Sequence, residues 1–316
     1  MPRKSSRSVR SPSIVVIGSS NTDLIIRVPH IPSAGETILG GKFMSAAGGK
    51  GANQAVGAAR AGGKVTLIAR LGKDAFGDRA MAALRHDGVG VRHVSRDASA
   101  ASGVALVFVA RDGENSIAVA GGANAKLSPA NVKQAAGVIR KAAILVMQLE
   151  TPLTTVLAAA LLAAKAGVLI ILNPAPARPL PNRLLKLISV LTPNETEAEL
   201  LTGIKVADER GAARACAILR SRGVSTVILT LGARGAYLAD AGGQRLVPGF
   251  KVKAVDSTAA GDIFNGALAV ALAEGKDVYD AVRFANAAAA YSVTRQGAQP
   301  SAPSRAKIES LLRLRG

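Results

Sequence analysis

The stretch Asp256-Ser257-Thr258-Ala259-Ala260-Gly261-Asp262 joins a β-rich segment, Gln244 to Val255, to an apolar run, Ile263 to Ala273. The run reads as a helix closed by Gly275. Small residues ahead of a helix leave its first N–H groups bare, and such a terminus attracts anions, phosphate above all. Asp262 would stand at that terminus, ionised, and could take a proton from an incoming hydroxyl. An anion cradle with a base beside it is the minimal equipment for phosphoryl transfer. The plainer alternative is that Asp262 only caps the helix and Gly261 only turns the chain.

A second cluster, Ala47-Gly48-Gly49-Lys50-Gly51-Ala52-Asn53-Gln54, leads into a small-residue helix from Asn53 to Ala61, closed by Gly62-Gly63. It has neither P-loop nor dinucleotide spacing. Its glycines let a ligand approach the backbone closely, and Asn53 can both donate and accept; a simple loop-to-helix junction would use the same residues. Asp23 follows the short buried-strand pattern Ile14 to Gly18 and the polar run Ser19 to Thr22. It therefore stands just past a strand end, where α/β sheets put their ligands, unless it only satisfies its own turn. Asn194-Glu195-Thr196-Glu197 offers oxygens that suit Mg²⁺, though Glu in a first helical turn needs no metal. The three histidines, His30, His86 and His93, show no ligand spacing, and no nucleophile-elbow pattern supports a Ser-His-Asp hydrolase.

The elements that would carry these residues alternate. Strand then helix runs through Val65–Ala69 and Gly77–His86, Ile144–Gln148 and Thr154–Ala166, and Val168–Leu172, followed by helices Glu195–Leu201 and Glu209–Arg222 and the strand Thr226–Thr230. This is the α/β pattern of a mostly parallel sheet between helices, a three-layer α/β/α arrangement. Glu150, Asn173, Asn194 and Thr230-Leu231-Gly232 fall at strand C-terminal ends. With Asp23 and Asp262 they would line one sheet edge. Leu24 to Met44 lacks a helical period, and Gly103–Ala110 and Ser116–Ala120 flank the hairpin signal Arg111-Asp112-Gly113-Glu114. Segments 24–45 and 102–121 are expected to form a small β-sheet lid on a domain covering 14–316. A helix face around Ala285–Ala290, a carbonyl- and hydroxyl-rich loop Ser292–Ser301 and a last helix Lys307–Leu314 complete the chain.

Composition narrows the function. A chain of 316 residues with 49% hydrophobic content is ample for one large domain, and 3% aromatics implies a core of small aliphatic side chains. No apolar run is long enough to span a bilayer. Residues 1–13 read as a disordered basic tail without a signal-peptide core. One cysteine, Cys216, excludes an intramolecular disulfide and fits a cytoplasmic setting. The net charge is +19, of which the tail supplies four (Arg3, Lys4, Arg7, Arg10) with no acid, leaving +15 elsewhere. The basic residues are scattered without interleaved aromatics, so the charge favours a polyanionic small substrate over nucleic acid.

Together these segments resemble the ribokinase branch of the PfkB-type carbohydrate kinase family, from about Ile14 to Pro303. Gly48-Gly49-Lys50-Gly51-Ala52-Asn53-Gln54 is similar to the family's first signature and Asp256 to Asp262 to its second. Met147–Glu150, Asn173–Arg178, Thr192–Glu197, Thr230–Gly235 and Gly297–Ser301 resemble the branch in particular. The resemblance implies a ribokinase-like fold and ATP-dependent phosphorylation of D-ribose at O5, with sibling substrates (deoxyribose, fructose, adenosine) or a non-catalytic sugar-binding regulator as the alternatives. It implies Asp262 as the base, with the N–H groups of Ala259, Ala260 and Gly261 as the anion hole. Asn21, Thr22, Asp23, Gly49, Lys50, Gly51, Ala52, Asn53 and Glu150 would hold the sugar. Asn194, Thr230, Leu231, Gly232, Ala233, Arg234, Gly235 and Asn286 would hold ATP, with Gly261 and Asp262 beside it. Asn194 and Glu197 would organise Mg²⁺ through water. Asp256, Thr258, Ser292, Arg295, Gly297 and Ser301 would bind K⁺. A homodimer through the lid is implied too. Two positions depart from the pattern: Ala259, where the broader family often has Gly, and Ile263, where the branch usually carries Thr.

Overall fold

Consecutive apolar residues in a short strand must bury both faces, and Ile14 to Ile17 do so. Ile14 and Val16 join one apolar cluster, Val15 and Ile17 another, on opposite sides of the same sheet. The computed structural model describes residues 13–313. The expected N-terminal tail lies outside these residues except for Ser13, which opens the first strand.

The strands are β1 (Ser13–Ile17), β2 (Asn21–Arg27), β3 (Phe43–Gly48), β4 (Lys64–Gly72), β5 (Gly90–Asp97), β6 (Gly103–Val109), β7 (Asn115–Ala120), β8 (Ile144–Met147), β9 (Leu169–Leu172), β10 (Val190–Leu191), β11 (Thr226–Thr230), β12 (Gly235–Asp240) and β13 (Gly243–Pro248). Nine of them form one sheet in the order β13-β12-β11-β10-β9-β8-β1-β4-β5. Every pairing from β11 to β5 is parallel, and β12 and β13 add an antiparallel edge. Helices Lys50–Arg60, Ala260–Ala273 and Val278–Ser292 cover one face, and Leu153–Lys165 and Glu209–Ser221 the other. The mostly parallel three-layer α/β/α expectation is met.

The other four strands form a separate sheet, β3-β2-β6-β7, in which β2 runs parallel to β6 and antiparallel to β3. This is the small sheet expected from segments 24–45 and 102–121. β7 is exposed along its whole length, and Phe43, Met44, Leu106, Ile117 and Val119 leave apolar surface uncovered.

Several boundaries move. The helices expected from Asn53 and Ile263 begin three residues earlier, at Lys50 and Ala260, because small residues continue the helical turn. The β-rich segment expected to reach Val255 ends at Pro248. The last helix begins at Arg305, two residues before the expected Lys307, and is described as far as Arg313. β5 was not foreseen: Gly90–Asp97 carries Arg92, His93, Ser95 and Arg96, a polar composition tolerated at a sheet edge.

Candidate functional site

The site forms where β1 ends and two helices begin. The chain leaves β1 at Gly18, passes Ser19 and Ser20, and enters β2 at Asn21. Asp23 therefore lies inside β2 rather than past a strand end. Strand alternation puts Asn21 and Asp23 on one face and Thr22 on the other, so Thr22's side chain is not brought to the expected sugar site. On that face Gly48 is required: a Cβ there would lie 2.3 Å from Asp23 Oδ2. Gly49, at φ 87°, turns β3 into the Lys50–Arg60 helix in a conformation only glycine adopts freely.

Glu150 closes the start of that helix. Its Oε2 accepts from the Lys50 N–H at 3.0 Å and from the Ser19 hydroxyl. A carboxylate at a helix N-terminus is favoured by the bare N–H groups and the dipole, and Oε1 remains for a ligand. Asn21 Oδ1 accepts from Asn124 Nδ2 at 2.7 Å, and Asn124 Oδ1 accepts from Ser20 N–H at 3.0 Å. Asn124, fully buried, thus fixes the β1–β2 connection.

Asp262, only 6% exposed, occupies the first turn of the Ala260–Ala273 helix. Its Oδ2 accepts from Asn53 Nδ2 and its Oδ1 from Gln54 Nε2, each at 3.0 Å. Burial raises its pKa; Lys50 and the two amides oppose that, and Glu150 adds to it. Burial works to lower the Lys50 pKa, but the carboxylates of Asp262, Glu150, Glu197 and Asp23 outweigh it, so the ammonium stays charged. Burial likewise raises Asp23 to about 6, helped by the negative charges of Glu150 and Asp262. Four carboxylates around one half-buried ammonium form an anionic pocket that can exchange protons with hydroxyls.

Ala259 precedes this helix at φ 59°, ψ 12°, the one left-handed non-glycine backbone among the described residues. Ala260 N–H donates to Ser257 O at 3.2 Å, whereas those of Ala259 and Gly261 take no backbone partner among the described residues. Of the three expected anion-hole donors, two are therefore open and one is engaged locally. Ile263 points into the core, with its Cδ1 against Gly57.

The residues expected to hold a nucleotide gather at the ends of β10 and β11. Asn194 bridges to Thr230 as a continuation of the parallel sheet, and Thr230 N–H donates to Pro193 O at 2.9 Å. The turn Leu231-Gly232-Ala233-Arg234-Gly235 follows, with Leu231 buried and Arg234 paired to Glu195 at 2.5 Å. Asn286 donates its amide to Val247 O and Pro248 O, at 3.1 and 3.3 Å, which fixes the adjoining wall.

Asn194 and Glu197 form a reciprocal capping box: Glu197 N–H donates to Asn194 Oδ1 at 2.8 Å, and Glu197 accepts from Asn194 N–H and Nδ2 at 2.9 and 3.1 Å. With both oxygens already accepting, Glu197 suits Mg²⁺ only through water, the mode Mg²⁺ prefers. Of the six expected K⁺ ligands, the structure brings Asp256, Thr258 and Gly297 into contact. Asp256 accepts from Thr258 N–H (2.9 Å), Thr258 Oγ1 (2.6 Å) and Gly297 N–H (2.8 Å). Burial works against its charge, but these bonds outweigh it and hold its carboxyl below the usual range. One ionised carboxylate beside the neutral Thr258 and Gly297 is an oxygen set of low charge, which fits a monovalent cation, while the hydroxyls of Ser292 and Ser301 donate to Ala289 O and Ala298 O in their own turns, at 2.8 and 2.7 Å. Among the described residues no three His, Cys, Asp or Glu side chains group as a metal cluster.

Five buried amides escaped the sequence reading as functional residues: Gln54, Asn124, Gln148, Asn265 and Gln299. Amides next to apolar runs carry no periodic signal. Only the three-dimensional meeting of separate segments shows what they hold.

The profile of pfkB family carbohydrate kinases matches residues 11–305. A ribokinase of Haemophilus influenzae is 47% identical over 293 residues, 93% of this chain and 96% of its own. A deoxyribokinase of Salmonella typhi is 38% identical over 302 residues, 95% of this chain and 99% of its own. Among solved structures, Arabidopsis thaliana ribokinase complexed with ribose and ATP superposes with a TM-score of 0.90 at 36% identity, covering 96% of this chain and 99% of that one.

Proposed function

The chain belongs to the pfkB family of carbohydrate kinases, and from that premise we propose that it transfers the γ-phosphoryl group of ATP to O5 of D-ribose. One observation carries the reading: a buried Asp262, both oxygens held by amides, stands in a helix's first turn beside open N–H groups. Asp23, Asn21 and Glu150 bind the sugar hydroxyls. An ionised carboxylate can accept from two neighbouring hydroxyls at once, which suits a vicinal diol.

Asp262 accepts the proton of the 5-hydroxyl as its oxygen bonds to the γ-phosphorus in line, and the bond to the β–γ bridging oxygen breaks to release ADP. The N–H groups of Ala259 and Gly261 receive the charge gathering on the transferred group, joined by Ala260 once its bond to Ser257 is exchanged. Lys50 keeps the pocket from accumulating uncompensated negative charge as a polyphosphate enters. The Thr230–Gly235 turn and Asn286 form the nucleotide wall. Asn194 and Glu197 would hold Mg²⁺ through water, and Asp256, Thr258, Ser292, Arg295, Gly297 and Ser301 would hold K⁺. When bound, these cations neutralise phosphate charge and tune the anion hole.

The four-stranded sheet acts as the lid and excludes water on closing. Its uncovered apolar side chains, Phe43 and Leu106 on one face and Met44, Ile117 and Val119 on the Asp23 face, fit a homodimer formed through the lid. Among the described residues no helix is long and apolar enough to cross a membrane; we propose a cytoplasmic enzyme.

The test is ATP-dependent turnover of ribose, deoxyribose, fructose and adenosine by wild type and Asp262→Ala, with and without K⁺. Ribose turnover that vanishes in D262A and rises with K⁺ is expected. Preferred turnover of deoxyribose, the substrate named for the Salmonella relative, would keep the mechanism and remove the ribose assignment. Ribose binding without turnover of any sugar would leave a sensor on a kinase fold.

A further inference from the structure

A base works only if its carboxylate is aimed, and the Asp262 helix start does not by itself fix rotation about the Cβ–Cγ bond. Something must hold each oxygen. Oδ1 meets Gln54 Nε2 at 3.0 Å. Gln54 is fully buried, and its other N–H donates to Asn173 Oδ1 at 3.2 Å. Its own Oε1 accepts from Gln148 Nε2 at 2.6 Å.

The chemistry sets the direction of this chain without ambiguity. An ionised carboxylate only accepts, so Gln54 must present nitrogen to Asp262 and oxygen to the other side. Gln148 must then present nitrogen to Gln54, and its Oε1 faces inward with no hydrogen-bond partner. A buried orphan acceptor costs stability. A leucine or methionine at 148 would avoid that cost, so the amide has to be explained by what its nitrogen does.

We infer that Gln54 is a positioning residue for phosphoryl transfer, its amide locked by Gln148 behind it so that it orients the Asp262 carboxylate. This rests on the reading of Asp262 as the base. Asn53 holds the other oxygen and is steadied in turn by Gln299 Nε2, which donates to Asn53 Oδ1 at 3.3 Å.

The amide also favours the ionised form of the carboxylate, so removing it should let Asp262 take up a proton at higher pH. The charged groups around Asp262 are Lys50, Glu150, Asp23 and Glu197, and none changes in the variants used here.

The experiment compares Gln54→Met and Gln148→Met with wild type, measuring kcat at saturating ribose and ATP from pH 5 to 9, ribose KM, and thermal melting. For Q54M, kcat is expected to fall roughly 10- to 100-fold, the scale of a misaligned reacting group. The acid limb of its kcat profile should move to higher pH, with ribose KM within about threefold of wild type. Q148M, remote from substrate, should move the same limb in the same direction by a smaller amount, and it serves alone should Q54M not fold. An unmoved acid limb in Q148M and in any folded Q54M overturns the inference, even if kcat drops, because a purely structural role would lower activity without retuning the base. Asp262→Asn separates the two readings: an inactive D262N beside an unmoved limb removes only the relay, whereas an active D262N removes the base and the relay with it.

Discussion

Asp23 carries a stability cost that its removal should expose. Its pKa rises from the ordinary 3.8 to about 6, first through burial and then through the charges of Glu150 and Asp262. A shift of about two units corresponds to at most about 3 kcal/mol. The folded state holds the Asp23 proton more tightly than the unfolded chain. The resulting stabilisation is therefore complete below pH 3.8 and is lost as pH rises through about 6. Asp23→Asn has no such loss. Urea unfolding of wild type and D23N at several pH values between 4 and 8 gives the comparison, since the midpoint and slope return the free energy at each pH. D23N should gain on wild type by about 1–3 kcal/mol from the low end of that range to the high end. Its sugar binding should fail at the same time: charge-assisted hydrogen bonds are worth about 1.5–3 kcal/mol each, so ribose KM at pH 8 should rise at least roughly tenfold. Parallel stability curves for the two proteins would refute the buried-carboxylate argument, and an unchanged KM would refute the sugar role.

Two other substitutions probe the backbone of the site. Ala259→Gly removes a left-handed strain of about 1–2 kcal/mol and adds about 0.5–1 kcal/mol of chain entropy loss, so stability by urea unfolding should rise by about 0.5–1 kcal/mol. Gly48→Ala would put a Cβ 2.3 Å from Asp23 Oδ2, forcing the carboxylate to move; steady-state kinetics should show ribose KM up roughly tenfold with a much smaller change in kcat, as expected when ground-state binding is lost.

The parallel sheet was legible because its strands are continuous apolar runs between helical periods, and Ile14 to Ile17 could only be buried on both faces. Edges were not. β5, with Arg92, His93 and Arg96, satisfies one neighbour and water, so its residues keep no burial pattern. β10 is two residues long, Val190 and Leu191, too short for any period. Asp23 was expected past a strand end and instead lies within a strand. The strand that holds it owes its existence to pairing with Phe43–Gly48 and Gly103–Val109, segments distant in sequence.

The site itself divides along a physical line. Its backbone parts could be read in advance, because a helix start needs small residues and a tight turn needs glycine, and both leave a local trace. Resemblance supplied most of the side chains. The supporting amides could not be read from local sequence, since a hydrogen bond from Gln54 to Asp262 joins residues 208 positions apart, and nothing near either one announces the other. Asp262 shows why this matters. As a bare helix-start aspartate it could be only a cap, yet its side chain bonds to Asn53 and Gln54 of a different helix, not to its own helix's N–H groups. A capping residue spends its oxygens on the backbone beside it. One whose oxygens are aimed by remote amides, next to N–H groups left open, is not a cap, and it has the arrangement that the proposed base needs.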